Sequence, residues 1–228
     1  MNNIISVHEK RELNKLGLES FFLDIENNSY DSISQKVILN LEEKLSKIYN
    51  DYDDENLNYD WDSYFLIKEL EALSEMKIIY AFKHFETGLK FLINASYNVT
   101  DKSKMYKWEF ISDFLKSKKI DIKKVKGYSE INELRNVNNS IKHSQILDSK
   151  SLPKEFQNKT KIEHTDILSF YKRIEDSPKL FLSNLSDLIF DDLYVFDEKR
   201  IDSIAEKFML RMEQKDIKLL VEKLTEKY

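Results

Sequence analysis

Apolar residues recur at steps of three and four along most of this chain, the spacing that lines one face of an α-helix. Residues 3–16 carry Ile4, Val7, Leu13 and Leu16 in that rhythm, with Gly17 as the expected stop. Residues 29–49 repeat it with Ile33, Val37, Ile38, Leu41, Leu45 and Ile48. The longest periodic stretch, residues 63–97, holds Tyr64, Ile67, Leu70, Leu73, Ile78, Phe82, Phe85, Leu89, Leu92 and Ile93. From Met76 to Ile93 it is apolar on more than one face, which predicts a central helix with neighbours on several sides; Gly88 there either allows a close helix approach or is a tolerated defect.

Residues 104–118 predict a shorter helix with Trp108, Ile111, Phe114 and Leu115 turned inward. A connection containing Gly127 follows. Ser129 then suits an N-cap, with Glu130 and Glu133 favoured in the first turn by the helix dipole, for a helix reaching about Leu147. Residues 148–161 are polar and hold Pro153, so they read as a loop. Further helices are expected at 165–175, at 178–190 behind the start signal Ser177-Pro178, and at 198–212 and 216–228. Asp51, Asp53, Asp54 and Glu55, with Asp60 and Asp62 beyond, read as a solvated acidic connection; they lack the ligand pattern of a calcium loop.

The fold class expected is therefore all-α. Composition agrees: Gly 3 and Pro 2 in 228 residues leave few tight turns for a β architecture. Cys 0 removes disulfides and thiolate zinc sites. The net charge of -5 argues against a general nucleic-acid coat. Neither a basic-then-apolar leader nor a run long enough to span a bilayer is evident, which leads us to expect a cytoplasmic protein without a membrane role. No His-Glu-x-x-His pattern, glycine-rich phosphate loop or Gly-x-Ser-x-Gly elbow occurs. No cofactor or metal is expected. His84 reads as a core or interface residue, and His8 and His164 as surface positions.

The chemistry concentrates in Leu134-Arg135-Asn136-Val137-Asn138-Asn139-Ser140-Ile141-Lys142-His143-Ser144. Arg, Asn, Lys and His together suit gripping and cutting a phosphodiester. On a helix, Arg135, Asn139 and Lys142 share a stripe with His143 beside it, while Leu134, Val137 and Ile141 face the core. Arg135 and His143 stand about 12 Å apart along the axis at ~1.5 Å per residue, too far to bracket one phosphate easily. Two copies packed antiparallel would bring Arg135 of one to His143 of the other, so a C2 homodimer through these helices is expected of an active site. Just upstream lies the one strongly basic segment, with Lys102, Lys104, Lys107, Lys116, Lys118, Lys119, Lys123, Lys124 and Lys126 against Glu109, Asp113 and Asp121. It is either a steering patch for a phosphate backbone or an ordinary solvated lysine face.

The order of Tyr80-Ala81-Phe82-Lys83-His84-Phe85-Glu86, a spacer with Trp108, then Tyr128 to Arg135 leading into Asn139-Ser140-Ile141-Lys142-His143 resembles the HEPN superfamily. More narrowly, it resembles bacterial members whose motif helix ends in Asn-x-x-Lys-His. It covers about residues 63–190, which sets off an N-terminal helical extension, 1–62, and a C-terminal one, 191–228. The resemblance implies a HEPN-like helical bundle that dimerises through its motif helices. It further implies a metal-independent endoribonuclease of phage defence (abortive infection) or a toxin, with an antitoxin or defence-system partner protein. Arg135 and His143 would serve RNA cleavage, and Asn136 is the polar residue after the arginine. His143 would be general acid or base in a 2′-hydroxyl attack, Arg135 and Lys142 would steady the transition-state charge, and Asn139 would orient His143 or a phosphate oxygen. More residues separate Arg135 from His143 than in the family's usual motif, and no Tyr lies two residues after His143.

Each side chain also has a structural reading. His143 suits a surface histidine at a helix C-terminus. Arg135 suits an ion pair with Glu133 or with Glu86 on the central helix, and Asn138 and Asn139 suit hydrogen bonds to the backbone of an adjoining helix. The alternative function is a non-catalytic helical dimer that binds RNA or a partner protein.

Overall fold

A computed structural model describes residues 30–50, 61–97, 99, 101–143 and 153–227, with short pieces at 6, 8–13, 16–17 and 20. Every regular element among them is helical. In chain order the helices are α1 (Tyr30–Asn50), α2 (Trp61–Ser96), α3 (Trp108–Ser117), α4 (Tyr128–His143), α5 (His164–Ile174), α6 (Ser177–Tyr194), α7 (Glu198–Met209) and α8 (Gln214–Lys227). None of these described helices is long and apolar enough to cross a membrane. The chain divides into two compact units, Met1–Ile189 and Phe190–Tyr228.

In the first unit, α1, α4 and α5 all pack on α2. The sequence makes this possible because α2 carries a broad buried stripe: Leu70, Ile78, Phe85, Leu89 and Ile93 are each at most 1 % exposed, and Gly88 is buried among them, while Trp61, Phe65, Met76 and Phe91 stay exposed. Along its first half, Ile38, Leu41 and Leu45 of α1 meet Leu66, Ile67, Leu70 and Leu73, joined by Leu168 of α5. Ile33 and Val37, also in the apolar rhythm, stay exposed, so the buried stripe of α1 is narrower than its sequence pattern. Along its second half, Phe85 lies 5.5 Å edge-on to Phe181 of α6 and 6.3 Å from Trp108 of α3, ring centre to ring centre. The buried ammonium of Lys77 donates to Gln35 Oε1 of α1 at 2.9 Å and sits 4.6 Å from the Tyr171 ring of α5, a polar tie across three helices.

The connections show where local chemistry departs from the sequence pattern. Residues 16 and 17 are both helical, so Gly17 does not lie beyond a helix end. A separate turn, Lys102–Lys104, precedes α3, because Lys107 is extended and delays the helix start to Trp108. α3 ends in a Schellman arrangement: Lys119 N–H donates to Lys116 O at 2.9 Å and Ile120 N–H to Leu115 O at 3.0 Å, while Ile120 and Leu115 are buried together at its base. The left-handed position is held by Lys119 (φ 63), where glycine is usual. Glycine appears instead at Gly127 (φ 90), where an added Cβ would meet Phe181 Cβ and Ser177 O at 3.4 Å.

Gly127, not Ser129, caps α4: its carbonyl accepts from Ile131 N–H at 3.1 Å. The helix therefore begins earlier than Ser129 suggests. It is described as far as His143, and the expected continuation to Leu147 lies outside the described residues, as does the acidic stretch 51–60. The polar loop after α4 proves anchored: Pro153 opens a short turn, Lys154–Phe156, that drives Phe156 into the core 5.4 Å from Phe170. At the start of α5, Asp166 accepts from Glu163 N–H at 3.1 Å and from Lys159 Nζ at 2.8 Å. Burial raises the pKa of Asp166, but these two partners outweigh it and hold the carboxyl below its ordinary range. His164, read from sequence as a surface position, is half-buried with Nε2 4.0 Å from Glu42.

In the second unit, Asp197 caps α7 by accepting from Arg200 N–H at 2.7 Å, and the Arg200 guanidinium lies 4.2 Å over the Phe196 ring. α7 and α8 pack on each other but bury no side chain.

Two stability outcomes follow from this packing. Phe85→Ala removes the ring shared by α2, α3 and α6 and is expected to cost about 3–5 kcal/mol in urea unfolding. Lys119→Gly relieves a left-handed L-residue; it should add about 1 kcal/mol and raise the melting temperature by about 2–4 °C. A melting temperature unchanged or lowered by Lys119→Gly would show that this backbone is not strained.

Candidate functional site

α4 carries the motif, and its sequence sorts by side. Ile131, Leu134, Val137 and Asn138 are buried, and Ile141 is half-buried. At about 100° per residue, Asn132, Arg135, Asn136, Asn139, Lys142 and His143 fall within an arc of about 120° on the other side. None of them is acidic, whereas Glu130 and Glu133 lie outside the arc. Asn139, Lys142 and His143 are exposed; Asn132, Arg135 and Asn136 are half-buried.

Arg135 is the most constrained of the motif residues. Its guanidinium carbon lies 5.3 Å from the centre of the Trp108 ring. Nη2 donates to Asn132 Oδ1 at 3.0 Å, one turn earlier on the same helix. Nε is buried and has no hydrogen-bond partner among the described residues. Neither carboxylate suggested by the sequence pairs with it. Glu86 meets Lys90 at 3.1 Å on its own helix, and Glu133 turns to Arg173.

Arg173 of α5 is the contrasting case. It donates to Glu133 at 2.6 Å and to both oxygens of Glu155 at 2.7 and 3.0 Å, tying α4, α5 and the turn after Pro153 together. The bond to Arg173 pulls the Glu155 carboxyl below its ordinary pKa against the opposing effect of burial, and the same contacts raise that of Arg173. Sequence alone gave no sign of this triad, since its members lie far apart in the chain.

Asn138 bonds its own neighbour instead of the backbone of an adjoining helix. It is 1 % exposed; Nδ2 donates to Asn139 Oδ1 at 3.2 Å, and its own Oδ1 has no partner among the described residues. Its burial continues the rhythm of Ile131 and Leu134. An orphaned donor and an orphaned acceptor thus lie one turn apart on α4, each an uncommon condition for a buried polar atom.

The basic segment is exposed at every lysine except half-buried Lys118. Lys104 pairs with Asp101 at 2.8 Å, and the Lys118 ammonium lies 5.1 Å from the Tyr97 ring centre and 5.7 Å from that of Phe114. Among the described residues no three His, Asp or Glu side chains are grouped to hold a metal ion.

Compared with known proteins, the chain matches no protein-family model, no curated protein and no solved structure.

The triad predicts a pH-dependent stability. The Glu155 pKa in the folded chain lies below its ordinary value of 4.5, so its contribution is present above pH 4.5 and is lost as pH falls through the folded value. Arg173→Met should cost about 2–3 kcal/mol at neutral pH by stranding two carboxylates. The difference between wild type and Arg173→Met, followed by urea unfolding, should narrow as pH drops below 4.5. A difference independent of pH would remove the triad from the stability account.

Proposed function

We propose that this chain is a HEPN-like, metal-independent endoribonuclease that acts as a homodimer through α4. One observation supports this reading above the others: Arg135 meets no carboxylate among the described residues, while Arg173 is bound by two. An arginine that serves only the fold is usually paired when half-buried. Arg135 keeps its charge uncompensated on an acid-free face, which suits a phosphate.

Arg135 and His143 are symmetric about Asn139 in sequence. Two α4 helices crossing antiparallel at a two-fold axis beside Asn139 therefore set Arg135 against the partner's His143. Asn139, Lys142 and His143 are exposed and available for that contact. In the reaction, the RNA 2′-oxygen attacks the adjacent phosphorus and the bond to the 5′-oxygen breaks. His143 takes the 2′-hydroxyl proton while water protonates the leaving 5′-oxygen, or it protonates that oxygen while water takes the 2′-hydroxyl proton; Arg135 with Lys142 neutralises the phosphorane-like charge. Asn136 and Asn139 support the phosphate or the imidazole. The products are a 2′,3′-cyclic phosphate and a 5′-hydroxyl. The biological role that fits is a defence (abortive infection) effector or a toxin, with a neutralising or activating partner protein.

The alternative is a non-catalytic helical dimer that holds RNA or a protein on the same face. The stacking of Arg135 on Trp108 favours it, since a pinned guanidinium suits a static grip.

Cleavage of labelled RNA in EDTA separates the two readings. Wild type should cut, leaving cyclic-phosphate ends, and Arg135→Ala and His143→Ala should each lose at least about 100-fold in rate. Undiminished cutting by both variants would remove the assigned site. RNA bound but uncut by wild type would establish the alternative.

A further inference from the structure

Trp108 and Asn132 approach the Arg135 guanidinium from different directions. The indole of α3 carries its face at 5.3 Å, and the Asn132 carbonyl fixes its rotation through Nη2 at 3.0 Å. Trp108 itself packs against Phe85, 6.3 Å away, which packs in turn on Phe181 at 5.5 Å. The chain of contacts therefore runs from the bundle core to the one motif arginine. Of the three guanidinium nitrogens, Nη2 is bonded, Nε is buried, and Nη1 has no bond to a described residue. The group is presented by one edge.

We infer that Trp108 and Asn132 are positioning residues that set Arg135 to receive a single phosphate of an RNA backbone through its Nη1 edge. The inference rests on the ribonuclease or RNA-binding reading of α4 and adds how the phosphate is held. A free arginine side chain loses rotamer freedom when it binds; one already stacked and hydrogen-bonded has lost it beforehand. Because the contact goes to phosphate and not to a base edge, binding at this point is indifferent to sequence. Trp108 takes no base on its Arg135 face, which is occupied.

The chain holds two tryptophans, Trp61 and Trp108, so a Trp61→Phe background leaves Trp108 as the sole indole. An uncleavable 2′-O-methyl RNA oligonucleotide is titrated into that protein at low salt, and both Trp108 emission and the anisotropy of the labelled oligonucleotide are followed. Emission should change saturably with binding, to the same extent for oligonucleotides of different sequence. Arg135→Gln should abolish the emission change and weaken binding about tenfold, the loss of one charge-assisted contact. Trp108→Phe should bind nearly as wild type, whereas Trp108→Leu and Asn132→Ala should each weaken binding about threefold to tenfold. Either of these in combination with Arg135→Gln should add nothing further, the signature of one shared interaction. Asn132→Ala, on the half-buried edge of α4, keeps the test valid should Trp108→Leu fail to fold.

RNA bound with unchanged Trp108 emission, or Asn132→Ala and Trp108→Leu binding as wild type, would overturn the positioning roles and leave the cleavage reading to its own assay. RNA bound by no variant, wild type included, would overturn both.

Discussion

Everything in the larger unit depends on the burial of α2. A single neighbour cannot cover the broad buried stripe of this 36-residue helix, so it forms a stable core only with several neighbours at once. α1, α4 and α5 supply those neighbours, and Trp108 of α3 and Phe181 of α6 both pack on Phe85. The motif helix thus owes its position to its packing on α2. α4 gives Ile131, Leu134 and Val137 to the interior and keeps its polar arc outside.

The two arginines near α4 illustrate how neighbours decide a side chain's meaning. Arg173 is consumed by Glu133 and Glu155 and acts as a brace between α4, α5 and the turn before α5. Glu133 and Arg135, two residues apart, project from different sides of α4, so Arg135 meets an aromatic ring and an amide while Glu133 meets Arg173. The proposed phosphate contact at Arg135 rests on that separation.

Much of the fold was legible in the sequence because its signals are local. The spacing of Ile38, Leu41 and Leu45, and of Leu70, Ile78, Phe85 and Leu89, marked α1 and α2 directly, and the polar arc of α4 followed from helical repeat alone. What escaped depends on contacts between distant residues or on residues placed against their usual preference. A lysine in the left-handed position after α3 carries no residue-type signal, and Gly127 took the cap expected of Ser129. Trp108 reads as an inward aromatic, yet only the placement of α3 beside α4 makes it a neighbour of Arg135. Phe156 was hidden in a polar stretch because a single anchor has no period to detect.

The acid-free arc of α4 has a consequence for how a polyanion reaches it. Arg135 and Lys142 lie on the outer arc of this helix, whereas Glu130 lies outside that arc and Glu133 is already bound by Arg173. On the proposed reading, the phosphates of an RNA strand would meet the positive charge of α4 from the outer side alone. The helix would then favour one angle of encounter before any contact forms, and added salt would weaken that preference by shortening the reach of the charge.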